Sequence, residues 1–147
     1  MGRMSEPTGR ERFGSARSAR LATLKPDGAP HLVPICFALL GDTVLSVVDG
    51  KPKRSQDLQR LANVEADPRV ALLADHYEDA DWGRLWWVRA EGRARVLGPG
   101  TPEAVDAVAR LATRYVQYRA DPPTGPVLAI EVERWSGWTA AGWKPRG

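Results

Sequence analysis

The chain has 147 residues, 21 Lys and Arg against 18 Asp and Glu for a net charge of +3, one Cys, two His and six Trp. That is one domain's length, enough for a full core; a lone Cys excludes an internal disulfide, and two distant His leave little for a zinc site. No run approaches the ~20 apolar residues of a membrane-spanning helix, the Arg-rich start lacks the apolar core of a secretory signal, and a +3 balance is no argument for nucleic acid, so a cytoplasmic protein is expected.

Residues 1–8 read as a flexible tail and residues 9–147 as a single domain, opening with a short helix over roughly 9–18. Arg20–Leu24 is a short apolar strand that runs into Lys25-Pro26-Asp27-Gly28. Pro at the second position and Gly at the fourth suit a type I hairpin turn. His31–Leu40 is apolar at both parities, which predicts a strand buried on both faces. Pro34 inside it removes a ladder donor and so marks an edge, a bulge or a stretch of open backbone. Gly41-Asp42 turns the chain into a third strand, Thr43–Val48, in meander order with the first two.

The next turn, Asp49–Ser55, carries Lys51, Lys53 and Arg54. Ser55 caps a helix whose apolar residues Leu58, Leu61, Ala62 and Ala66 recur at helical steps until Asp67-Pro68 stops it. Arg69–Asp75 reads as a fourth strand, His76–Gly83 as an acidic loop, and Trp86–Leu97 as a long fifth strand with a bulge at Gly92. Thr101-Pro102-Glu103 starts a helix with a cap, a proline at the first position and an acid in the first turn. Its predicted apolar stripe is Val105, Val108, Ala109, Ala112, Tyr115 and Val116. Val127–Arg134 is the sixth strand and Trp135–Thr139 an extended tail. Six strands and two inserted helices predict a mainly β fold, a small barrel with helices at its openings.

Few residues here carry chemistry of their own. The basic turn before Ser55 stands at a helix start, where free N–H groups and cations suit a phosphate; a solvated basic loop has the same composition. His31 and His76 are the only side-chain bases of near-neutral pKa, they fall at opposite rims, and neither has a partner motif. Cys36, in an apolar strand, reads as a small hydrophobe. No Ser-His-Asp set, phosphate-binding glycine loop or dinucleotide fingerprint is present. The Trp residues form two groups, Trp82, Trp86 and Trp87, then Trp135, Trp138 and Trp143. Indoles serve cores, interfaces and aromatic ligands alike.

Arg20–Leu24 followed by Pro26-Asp27-Gly28-Ala29-Pro30-His31-Leu32-Val33-Pro34 resembles the opening hairpin of the pyridoxamine-phosphate-oxidase-like split β-barrel superfamily. Asp67-Pro68-Arg69-Val70 and Glu91-Gly92-Arg93-Ala94 resemble it too. Asp49-Gly50-Lys51-Pro52-Lys53, Trp82 with Trp86-Trp87-Val88-Arg89, and Arg114-Tyr115 with Gln117-Tyr118-Arg119 are similar to its branch of actinobacterial oxidoreductases that use the deazaflavin coenzyme F420. The resemblance implies a six-stranded split β-barrel that forms a homodimer with two equivalent cofactor sites at the interface. The ring of the coenzyme would lie against backbone at Val33, Pro34 and Ile35 and at Ser46, Val47 and Val48. Its phosphate would be held by Lys51 and Lys53 with Arg54, and Trp82, Trp135 and Trp138 would reach the partner's site.

The implied activity is hydride transfer between the reduced coenzyme and a small unsaturated molecule, with cofactor chemistry replacing side-chain chemistry. No metal is implied, and the substrate's proton would come from solvent, Tyr77, His31 or His76. FMN in the same barrel, haem with an axial histidine, a non-catalytic cofactor carrier and a single-strand-binding barrel are the alternatives. Interspersed acids, and cations gathered at one turn, argue against the last.

Overall fold

Apolar residues at every second position build most of this molecule, because a strand sends successive side chains to opposite faces. A computed structural model describes residues 2–48 and 55–142, so Lys51, Lys53, Arg54 and Trp143 lie outside the described residues. The strands are β1 (Gly2–Arg3), β2 (Ala19–Leu24), β3 (Pro30–Ile35), β4 (Ala38–Leu40), β5 (Thr43–Val47), β6 (Arg69–His76), β7 (Trp86–Leu97) and β8 (Val127–Thr139). The helices are α1 (Glu6–Ser15), α2 (Ser55–Ala66), α3 (Pro102–Arg114) and α4 (Val116–Ala120). Every pairing is antiparallel, in the order β3-β2-β6-β7-β8-β5-β4, with β1 added to β8. No described helix is long and apolar enough to cross a membrane.

The end strands β3 and β4 are consecutive in the chain and separated only by Cys36 and Phe37. Such a link spans at most about 11 Å, so the sheet curls until its two ends stand side by side. The expected meander of the first three strands is therefore corrected: β3 pairs with β2, β4 with β5, and the two hairpins occupy opposite ends of the sheet order. The single strand expected over His31–Leu40 breaks at Cys36-Phe37 because Phe37 turns its ring fully into the core. There the Tyr115 hydroxyl accepts the Phe37 N–H at 3.1 Å and lies 2.9 Å from the Phe37 carbonyl. The break leaves Cys36 exposed.

The sheet has two apolar faces of unequal extent. Inside the curl, Phe13, Leu21, Val33, Ile35, Phe37, Val44, Leu72, Val88, Leu128, Ile130 and Trp135 form the main core. Phe13 and Phe37 have ring centres 4.8 Å apart, and Phe13 meets Trp135 edge-on at 5.3 Å. Outside it, α3 covers β4, β5 and the start of β8 through Ala104, Ala107, Leu111 and Tyr115. Burial on both faces thus belongs to β5, where Val44, with Val48 just beyond the strand, points one way and Leu45 and Val47 the other. On β3 only alternate residues are buried, and Leu32 stays 67% exposed, because no helix covers that end of the sheet.

Helix α3 begins as expected, with the Thr101 hydroxyl accepting the Ala104 N–H. Its buried stripe is Ala104, Ala107 and Leu111; of the expected stripe Tyr115 is buried, Val108 and Ala112 are partly buried, and Val105, Ala109 and Val116 are exposed. Small residues let the helix axis approach the sheet closely, which a valine row would prevent. In place of a flexible tail, β1 pairs with Trp138 and Thr139, and α1 starts at Glu6 behind the Ser5 cap. Complete burial of Phe13 holds α1 there. Strand β8 runs unbroken through Thr139 because its final residues pair with β7 on one side and β1 on the other.

Two local features set the register and the placement of α2. Between Glu91 and Gly92 the β7–β8 ladder shifts by one residue. A β-carbon on Gly92 would overlap the Glu131 carbonyl oxygen and stand 3.0 Å from Val132 Cα. Helix α2 is keyed to β2 by a buried amide: Asn63 donates to the Thr23 hydroxyl at 3.0 Å and accepts from Gln59 at 2.6 Å. Asn63 is wholly buried and Thr23 nearly so.

Gly92→Ala should lower the free energy of unfolding by about 2 kcal/mol or more, the scale of overpacking without room to relax. Gly98→Ala, whose β-carbon meets only ordinary contact, should stay within about 0.5 kcal/mol in the same urea titration. Thr23→Val should lose about 1–3 kcal/mol by stranding the Asn63 amide. Adding Asn63→Leu should recover part of that loss, a non-additivity that a double-mutant cycle measures.

Candidate cofactor site

The residues expected at the cofactor site fall into two groups. The first lies where β3 meets β5. The Ser46 hydroxyl donates to the Cys36 carbonyl at 2.8 Å, which ties the end of β3 to the middle of β5. Val33, Ile35, Ser46 and Val48 turn buried side chains inward and Val47 turns its own outward beneath α3, so only their backbone is available to a ligand. Pro34 is the exposed member. Among the described residues β3 pairs on one side alone, with β2, and the backbone along its other edge is open. The basic turn stands in sequence between Val48, whose N–H donates to the Pro126 carbonyl, and Ser55 at the start of α2.

The second group is distant. Trp138 lies on β8 eleven residues beyond Val127, the partner of Val47. That is up to about 36 Å of strand. Trp82 sits in a 3-10 turn, Trp82–Arg84, which the Leu85 carbonyl joins to Ala140 at the same end as Trp138. One chain therefore brings Val33–Ile35 and Ser46–Val48 together but not Trp82 or Trp138. Trp82 is half exposed, Trp86, Trp87 and Trp138 are partly buried, and Trp135 belongs to the core, its indole N–H donating to Asp42 at 2.9 Å. That bond, followed by the Arg10 hydrogen bond, holds the Asp42 carboxyl below its ordinary range.

The candidate bases separate as expected. His31 pairs with Thr23 on the inward face, and its buried Nδ1 has no hydrogen-bond partner among the described residues. His76 pairs with Trp86 at the other end of β6 and lies 3.3 Å from Glu78. Tyr77 is exposed and donates to Asp79 at 3.0 Å. Among the described residues no three His, Cys, Asp or Glu stand close enough to share a metal ion.

A cleft of about 500 Å³ on the outer face of β2, β6 and β7 was not anticipated. Its floor is Ala22, Leu24, Pro30 and Ala71, and its charged wall is Arg69, Arg89, Glu91 and Arg93. The signal was present in the period-two charge row of Arg89, Glu91, Arg93 and Arg95, which must all face one way. Arg69 grips Asp67 through two nitrogens, at 3.1 and 2.7 Å, and its hydrogen bonds pull the Asp67 carboxyl down to about 2. Arg89 pairs with Glu91 and Arg93 with Glu133 in partly exposed contacts that add little stability.

The profile of the pyridoxamine 5'-phosphate oxidase family matches residues 6–139, which include every strand except β1. No curated protein matches the chain. Among solved structures, a conserved hypothetical protein from Mycobacterium tuberculosis superposes with a TM-score of 0.75 at 24% identity, covering 98% of this chain and 91% of that one. An FAD-binding protein from Mesorhizobium loti gives 0.70 at 22%, over 92% and 95% of the two chains. A heme binding protein from Mycobacterium smegmatis gives 0.65 at 20%, over 92% and 57%. These likenesses establish the curled antiparallel fold, and the family match across nearly the whole domain places this chain in the pyridoxamine 5'-phosphate oxidase family.

Proposed function

We propose that the protein is an oxidoreductase that uses the deazaflavin coenzyme F420 to exchange a hydride with a small unsaturated substrate. The observation that carries the reading is the open edge of β3, joined through Cys36 and Ser46 to β5, directly before the basic turn. An unpaired strand edge offers N–H and C=O groups to a flat heterocycle with donors and acceptors along its rim. Lys51, Lys53 and Arg54 would hold the phosphate, by point charge and by the planar guanidinium fork. The buried side chains of Val33, Ile35, Val47 and Val48 fix that backbone and keep water from beneath it. When bound, the coenzyme supplies two-electron hydride chemistry, so the chain's part is to bind, orient and exclude solvent.

The separation of Val33–Val48 from Trp82 and Trp138 supports a homodimer, because a second copy can bring its own indoles to the first copy's site. The uncovered outer face supports it too: Leu32 is 67% and Leu73 40% exposed, on strands β3 and β6 with β2 between them. FMN is the second reading, favoured by the likeness to the FAD-binding protein from Mesorhizobium loti, since one basic turn serves either phosphate.

Titrating the protein with F420 should change the coenzyme's fluorescence saturably at micromolar concentration, and Lys51→Ala with Lys53→Ala should weaken binding at least tenfold. Saturable FMN binding without F420 binding would transfer the assignment to FMN, and no binding of either would overturn it. Sedimentation should show a dimer, and Leu32→Glu should raise its dissociation constant at least tenfold.

A further inference from the structure

Strands β7 and β8 carry a second cleft on their outer face, about 470 Å³, where β1 joins the sheet. Trp87 and Trp138 stand directly opposite each other across the β7–β8 ladder, and Arg3 of β1 is paired with Trp138 from its other side. Two residues along, Arg89 faces Ser136; two further along β8, Arg134 stands on the same face. The Arg89 guanidinium carbon lies 5.5 Å from the Trp87 ring centre. The cleft therefore has indole walls and three guanidinium groups.

Its charges are not balanced internally. Arg89 pairs with Glu91 at 3.2 Å, but neither Arg3 nor Arg134 has a carboxylate partner among the described residues. Glu6 is the one acid lining the cleft, and it accepts the Trp135 N–H. The Ser136 hydroxyl is buried there without a hydrogen-bond partner among the described residues. A buried polar group normally finds a partner, so an orphan hydroxyl in the same cleft as two guanidiniums without carboxylate partners fits an acceptor supplied from outside.

We propose that this cleft binds a flat organic anion of the aromatic carboxylate class. The ring lies along Trp87 and Trp138, where stacking and apolar contact favour a planar body over a puckered one. The carboxylate takes hydrogen bonds from Arg3, Arg134 and the Ser136 hydroxyl. The site needs neither Lys51 nor Lys53, so it stands apart from the coenzyme assignment even though Trp138 enters both.

Calorimetric titration of the full-length protein with 2-naphthoate tests it. Binding should be saturable, and it should weaken at least tenfold for neutral 2-naphthamide and for cyclohexanecarboxylate, which lack the charge and the flat ring respectively. Arg3→Gln with Arg134→Gln should weaken 2-naphthoate at least tenfold and Ser136→Ala severalfold, with far-UV circular dichroism unchanged. Lys51→Ala with Lys53→Ala should leave its affinity intact. Absence of saturation at millimolar 2-naphthoate, equal affinity for the amide, indifference to the arginine substitutions, or loss in the lysine variant would each overturn the proposal.

Discussion

Closure of the sheet depends on one hydroxyl. Where the chain leaves β3 and enters β4 it has no neighbouring strand, and the polar groups of Phe37 sit next to a ring that must be dry. Tyr115 meets them from the end of α3, and it lies 3.0 Å from the Arg17 carbonyl as well. Arg114 beside it donates to the carbonyls of Gly14 and Ala16 and places its guanidinium 4.8 Å from the Phe37 ring centre. The C-terminal end of one helix thereby fastens α1, the approach to β2 and the join between the sheet's ends. Without that fastening the buried backbone N–H and C=O of Phe37 would have to find other partners, which favours opening of the curl.

Closure by a side chain rather than by a ladder explains the rest of the layout. Because β3 and β4 meet without pairing, β3 keeps a free edge, and Ser46 reaches the Cys36 carbonyl from β5. Because α3 is spent on β4, β5 and β8, the opposite flank of the sheet is left to Leu32, Leu73 and a row of arginines. The open edge lies on an end strand of the sheet, whereas Trp86, Trp87 and Trp138 lie on its central strands β7 and β8.

Local chemistry was well written in the sequence. Pro26-Asp27-Gly28 gave the first hairpin, Thr101-Pro102-Glu103 the start of α3, Gly92 the bulge and Asp67-Pro68 the end of α2. What was not legible depended on distant partners. Nothing near Phe37 announces that Tyr115, seventy-eight residues on, will break a strand there. The parity of β3 does not reveal which strand a helix covers, and it is β5 that is buried on both faces. On α3 a helical period fits more than one face, and only packing against the sheet selects Ala104, Ala107 and Leu111. Pro34 was readable as a mark of open backbone, since it lies exposed on a strand that pairs on one side alone among the described residues. Trp138 was readable as an aromatic but not as a residue far from Val47, since register along β8 is a property of the assembled sheet.

The pairing of Gly2 and Arg3 with Trp138 and Thr139 also bears on how the protein is made. Phe13, one of the largest buried side chains, finds Trp135 only after the final strand exists. During synthesis the first helix must wait, its apolar face uncovered, until more than a hundred further residues have left the ribosome. The first hairpin can form early; the core that depends on β8 closes last. A chain built this way is most vulnerable to misassociation in the interval before its last strand arrives.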